Sequence, residues 1–291
     1  MRQNREIRAL LTLLDDPDDE VFDTVAEKLL NYGKDIIPSL EQLWEVTADQ
    51  AVQERIEQLI HRVHFQDLQE EFMEWGRARQ PELLRGAILV ARYQYPDLNV
   101  PALLAQFDQI RRNVWLELNS YLTALEQVNV LNSILYNYYK LAGHELTERE
   151  PKHFFINQVL DSRQGNAYTL GVLYLALCDM LDIPIFAMDI PRQFVFAYID
   201  TLHHFLSPED EGIQQIQFYV DPLNGTVYTQ KEVDAYLRKV GANDRELYFN
   251  PLSSKRVIFK MLEELSLCYR YKRDEAKAEE LQQLMRILVE G

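Results

Sequence analysis

RQGNAYTLGVLYLALCDMLDIPIF, residues 163–186, is the stretch whose reading decides the fold. A glycine-led turn opens it at Gly165, an amphipathic helix follows, and a short apolar strand comes in around Ile183-Pro184. Turn, helix and strand in that order suit the entrance to a mixed α+β core. A helix N-terminus is also where a cysteine is held as a reactive thiolate. Here the first turn reads Asn166, Ala167, Tyr168, so the position carries no thiol. Cys178 lies eleven residues further along the same helix, about 16 Å away at the helical rise. It cannot serve the same site and reads as a small buried hydrophobe.

Downstream, "IPIFAMDIP", "RQFVFAYID" and "IQQIQFYVDPLNGTVYT" are β-branched and aromatic runs separated by turns, with "DPLNGT" the strongest turn signal. After Lys231 the period is helical again, and residues 251–291 read as two helices joined near Lys272 to Asp274. Upstream, residues 81–142 are helical, with a break at Tyr95-Pro96, Pro101 near a helix start, and Gly143 as a C-cap. Residues 4–75 carry apolar stripes at helical spacing. "DDPDDEVFDTVAEKLLNYGKDIIPSL" places an acidic cap, a Gly break and an Ile-Pro restart in the order of a HEAT-type repeat, echoed weakly in "TADQAVQERIEQLIHRV".

The 291 residues are 47% hydrophobic, enough for a sizeable core in two or three parts. With 46 acidic against 30 basic residues the net charge is −16, which argues against nucleic-acid phosphate as a partner. The doublet Arg111-Arg112 reads as a solvated helix edge. No run reaches the length of a membrane span and the N-terminus has no signal-peptide pattern. Cys178 and Cys268 show no metal spacing, which suits a reducing compartment and a cytoplasmic protein.

Cysteine chemistry needs a thiolate, a histidine base and a third group that orients the histidine. The transglutaminase-like and papain-like architecture supplies them from a helix start, a following strand and the end of the next strand. The same order of elements occurs here at Gly165-Asn166-Ala167, at Gln193-Phe194-Val195 and at Asp221-Pro222. The chain resembles the bacterial SirB-type proteins of the transglutaminase-like superfamily. The resemblance rests on "FFINQVLDSRQG", on Gly165 through Tyr174-Leu175, on Leu181-Asp182-Ile183, on Pro191-Arg192-Gln193-Phe194 and on Asp221-Pro222-Leu223-Asn224-Gly225, and it spans roughly residues 85–291. It implies an α+β, predominantly α fold. Outside the resemblance, a HEAT-like helical region, or else an ordinary helical domain, would fill residues 1–75. A helical SirB-type part would fill 76–150. A transglutaminase-like core with a small antiparallel sheet would fill 151–250, and a TPR-like helical hairpin 251–291.

On that resemblance the superfamily's cysteine falls on Ala167 and its histidine on Gln193, and only Asp221 keeps the family's residue. Alanine is no nucleophile and a glutamine amide is no base near neutral pH. The degenerate triad then leaves Asn166, Gln193 and Asp221 as polar groups expected to converge in a former cleft. They either pin the helix to the sheet or line a pocket for a peptide or small polar ligand. Tyr168 and Thr169 lack an evident base and read as packing residues. His61 and His64 sit three apart in a helix without a third ligand, and His203-His204 beside Glu209, Asp210 and Glu211 match no zinc spacing. His144 and His153 flank the start of the core. No metal and no cofactor is expected. The expectation is a non-catalytic protein-interaction or scaffold module with a protein partner, not nucleic acid and not membrane. The alternative is a hydrolase or acyltransferase with substituted residues.

Overall fold

The structure, a computed structural model, describes residues 2–15, 18–191, 193–199, 216–242 and 250–290. The packing divides the chain into two compact units, Met1–Glu74 and Trp75–Gly291.

The first unit is built from α1 (Arg2–Thr12), α2 (Asp19–Leu30), α3 (Ile37–Val46) and most of α4 (Gln50–Arg77). Asp18 caps α2 by accepting from the Glu20 amide at 2.9 Å, as an aspartate at that position should. The chain leaves α2 at Asn31, Gly33 takes a left-handed φ of 58°, and Pro38 sits in the first turn of α3. Leu14, Leu29, Ile36, Leu40 and Ile56 are fully buried in the core between these helices. Lys34 joins Asp67 and Glu71 of α4 by ion pairs.

The second unit begins with α5 (Leu83–Gln94), α6 (Val100–Glu117) and α7 (Ala124–Asn132), which continues as a π-helical segment Ser133–Tyr138. A capping box of Thr123 and Glu126 starts α7. Two three-residue strands, β1 (Ala142–His144) and β2 (Gln164–Asn166), pair in parallel with α8 (Ile156–Ser162) between them. After α9 (Ala167–Met180) comes a four-stranded antiparallel sheet in the order β3 (Ile185–Ile190), β4 (Gln193–Ile199), β5 (Ile216–Val220) and β6 (Val227–Tyr228). α10 (Gln230–Lys239) follows, then the helical hairpin α11 (Ser254–Tyr271) and α12 (Glu275–Glu290), turned at Arg273 with φ 64°. The fold is therefore α+β and predominantly α.

The sheet has two covered faces. Val195, Ala197, Ile199 and Tyr219 point to Val233 and Leu237 of α10. Phe194 and Phe196, on the alternate face, meet α9, where Tyr168 and Tyr174 lie against their rings at centroid distances of 4.6 and 5.3 Å. The approach is close at Gly171, where a Cβ would come within 2.6 Å of the Phe194 ring. α5 and α11 also pack against α9. Every residue from Tyr168 to Cys178 is consequently buried. The helix expected to be amphipathic is covered all round, as its nearly uninterrupted apolar sequence suits.

Gly143 does not cap a helix. The left-handed position falls at Lys140 instead (φ 57°), and Gly143 lies in β1 against the turn after β5. A Cβ on Gly143 would sit 2.5 Å from the Leu223 carbonyl oxygen. Its role is close approach of two backbones.

Candidate functional site

The start of α9 is capped through the side-chain oxygen of Asn166, while its Nδ2 is buried without a hydrogen-bond partner. Asn166 is 2% exposed, and its Oδ1 accepts from the amides of Tyr168 at 3.0 Å and Thr169 at 3.1 Å. This satisfies two of the free N–H groups that a helix start leaves over. Ala167, half-buried, is the first helical residue. Burial pushes the Tyr168 hydroxyl far above the ordinary phenol range. Thr169 is fully buried with its hydroxyl 3.4 Å from Asn166 Oδ1. Neither has a base beside it in these contacts.

Gln193 and Asp221 do not complete a triad with Ala167. Gln193 pairs across the ladder with Ile190, which belongs to the α10 side of the sheet. Gln193 is exposed on that side. The next residue, Phe194, is the one turned toward α9. Side chains alternate along a strand, so one position decides the face. The expected convergence of Asn166, Gln193 and Asp221 thus fails at Gln193.

Asp221 is committed to its own turn. Its Oδ1 accepts from the Leu223 amide at 2.8 Å, and its carboxylate also takes the Tyr228 hydroxyl. Desolvation nevertheless holds its pKa above the ordinary carboxylate value. The turn is secured from outside the sheet. Asn132 Nδ2 donates to the Gly225 carbonyl at 2.7 Å, and the Tyr136 hydroxyl donates to the Pro222 carbonyl at 2.7 Å. Tyr174 of α9 donates to Asn132 Oδ1 at 3.2 Å, which ties the helix to the same assembly.

Neither cysteine is poised for chemistry. Cys178 is wholly buried with its thiol pushed well up by desolvation, and burial lifts Cys268 to about 11. Arg111 and Arg112 both pair with Asp108 on the surface of α6. The acidic stretch with His203-His204 lies outside the described residues. A cavity of about 340 Å³ lies at the far end of α9, lined among others by Arg111, Trp115, Gln127 and Met180.

Among the described residues, three potential metal-ligating side chains do come together: His144, Glu148 and His153, with one donor atom of each within 4.8 Å of the others. His144 Nδ1 lies 2.8 Å from Glu148 Oε2, and the two imidazoles stack at 4.2 Å between centroids. His153 is 5% exposed and its Nε2 has no hydrogen-bond partner. Burial, then the neighbouring His144, keeps the His153 imidazole below its usual pKa. His144 also pairs in the β1–β2 ladder with Asn166, the α9 cap. Sequence reading singled out the two histidines but passed over Glu148. The available signal was the spacing His-x3-Glu-x4-His, which matches no standard zinc pattern.

Residues 101–263, more than half of the chain, match the family model of the transglutaminase-like superfamily. A UPF0162 protein of Xylella fastidiosa (strain 9a5c) is 24% identical over 197 residues, 64% of each chain. UPF0162 protein YchA of Escherichia coli K12 is 25% identical over 192 residues, 63% of this chain and 65% of its own. Protein SirB1 of Salmonella typhimurium is 23% identical over 165 residues, 55% of this chain and 57% of its own. The chain belongs to the transglutaminase-like superfamily, and these relatives mark it as SirB-type. It spans just under two thirds of the length of the first curated relatives it matches. No solved structure matches it. Among the described residues no helix is long and apolar enough to cross a membrane.

Proposed function

We propose that this chain is a non-catalytic transglutaminase-like protein acting as a cytoplasmic protein-interaction module. The observation that carries the reading is the start of α9. Ala167 stands where the superfamily's nucleophile would be, and the Tyr168–Phe194 stack, with rings 4.6 Å apart, packs the adjoining helix–sheet contact. The reading is supported further by Gln193, which lies on the other face of the sheet and brings neither a base nor a ligand-binding group to that point. The buried Tyr168, Thr169 and Cys178 supply no substitute nucleophile for a hydrolase or acyltransferase.

The partner is a protein with a basic surface, since the chain carries a net charge of −16 and complementary charge steers such encounters. Nucleic acid and membrane surfaces, both anionic, are disfavoured by the same charge. The HEAT-like helices of residues 1–75 and the TPR-like hairpin are the surfaces proposed to bind it, because stacked helical units offer extended faces.

Two measurements test the reading. Amine incorporation and peptide cleavage by the full chain should both be absent; either activity, if abolished by thiol alkylation, would overturn it. Reversing the charges of Asp15, Asp16, Asp18 and Asp19 should weaken the association with a captured partner and lower its salt sensitivity, whereas Gln193→Ala should not. Loss of binding in Gln193→Ala and Asp221→Ala with the fold intact, and indifference of the acidic turn, would move the function to the old cleft.

A further inference from the structure

We propose that His144, Glu148 and His153 form a binding site for a divalent transition-metal ion of the zinc class. The inference is independent of the interaction role proposed above. Two imidazoles and one carboxylate are a donor set for zinc, cobalt or nickel, and not for magnesium or calcium, which take oxygen ligands.

The donors are gathered in one place, and the rings have still to turn toward a common point. Donors around a tetrahedral zinc ion stand about 3.3 Å apart when metal–ligand bonds are about 2.0–2.1 Å. The three donors here lie within 4.8 Å of one another. The two imidazoles are stacked at 4.2 Å between centroids, so one ring must turn out of the stack before both in-plane nitrogen lone pairs meet the ion. His144 Nδ1 and Glu148 Oε2, now 2.8 Å apart, part slightly as the ion comes between them. Three protein ligands leave a fourth position for water or for a side chain of another protein.

The segment is also held in place, as a metal site requires. β1 fixes His144 against β2. Arg149 turns the chain with a left-handed φ of 51°, and its guanidinium lies 4.0 Å from the centroid of the Tyr271 ring. Lys272 pairs with Glu150 at 2.9 Å. The loop is thereby tied to the end of α11 at the turn and directly after it.

A plain histidine–glutamate hydrogen bond with a second ring stacked on it is the bland account of these contacts. It leaves His153 Nε2 buried with no partner, a condition that buried polar groups rarely tolerate. A metal ion drawn into the cluster explains why two histidines and a carboxylate are gathered at a half-buried point.

The experiment uses the full chain, stripped with a chelator. It is titrated with zinc chloride by calorimetry and with cobalt chloride by visible absorption, which reports the ligand field. The expected result is about one equivalent of bound ion with a tetrahedral cobalt spectrum. Glu148→Gln keeps the size of an exposed side chain, so it should fold normally and weaken zinc binding by at least about tenfold, by comparison with losses at supporting residues of metal sites. His144→Asn should do the same, with circular dichroism confirming the fold. The double variant His203→Asn, His204→Asn should bind as wild type. The proposal is overturned by absence of binding, by binding unchanged in Glu148→Gln and His144→Asn, or by binding lost in the His203/His204 variant instead.

Discussion

The Asp221 carboxylate serves the turn that follows it by accepting from the Leu223 amide, at the cost of its own desolvation. Desolvation raises its folded pKa above the unfolded value, against the hydrogen bonds from Leu223 and Tyr228. A raised carboxylate pKa stabilises the fold fully below the unfolded pKa, and that contribution is lost as pH rises through the folded pKa. Asp221→Asn keeps the acceptor for Leu223 and removes the buried charge. Its stability relative to wild type should therefore improve from about pH 4 toward about pH 7, measured by urea unfolding across that range. Asp221→Ala should instead cost about 1–2 kcal/mol near pH 4, since the Leu223 amide loses its partner, and that cost should shrink toward pH 7 by the same linkage. Gly143→Ala should be worse, about 1–3 kcal/mol, because the new methyl meets the rigid backbone of Leu223. None of this was legible in the one-dimensional string. "DPLNGT" announced a turn, but nothing in it says that a glycine some eighty residues earlier lies against it.

The element that organises the second unit is α9, and much of it was legible. Gly165, the cap at Asn166, the apolar run and the strand after Pro184 all follow local rules for turns, helix starts and β-branched runs. Its complete burial was not, because covering by α5 and α11 depends on elements distant in sequence. β1 and β2 were also missed. Three residues centred on glycine carry no strand pattern, and only their mutual pairing makes them strands. The misplacement of Gln193 has a simpler cause: a two-residue period turns an offset of one position into the opposite face. Two variants test α9. Asn166→Ala removes the acceptor for two amides and should destabilise by about 1–2 kcal/mol, whereas Asn166→Ser should recover part of that loss. Ala167→Cys combined with Gln193→His should remain inactive in peptide hydrolysis, since position 193 faces α10. Thiol-dependent turnover by that pair would show that the two positions meet.

Across the whole molecule the thiols report packing. Cys178 is 0% and Cys268 3% exposed, so a maleimide should label neither in native buffer and both in concentrated guanidinium. Native labelling would show that one of the helices opens locally. At this scale the α+β class was legible from the change of texture near residue 150, because helix and strand periods differ plainly. The metal-ligating trio was not, since its members come from a strand end and two short turns that only the folded loop brings together.

The fastening of the Asp221–Gly225 turn by Asn132 and Tyr136 bears on the order in which the chain assembles. Those hydrogen bonds join residues 93 and 86 positions apart, and such distant pairings form late because the intervening chain must first be brought in. The β5–β6 hairpin can form locally, but it acquires its anchor only after α7 and its π-helical extension have docked. Asn132 and Tyr136 are therefore expected to act after the folding barrier, and a slowed refolding rate in their variants would place them in the folding nucleus instead. Weakening them should hasten unfolding while leaving the refolding rate nearly unchanged.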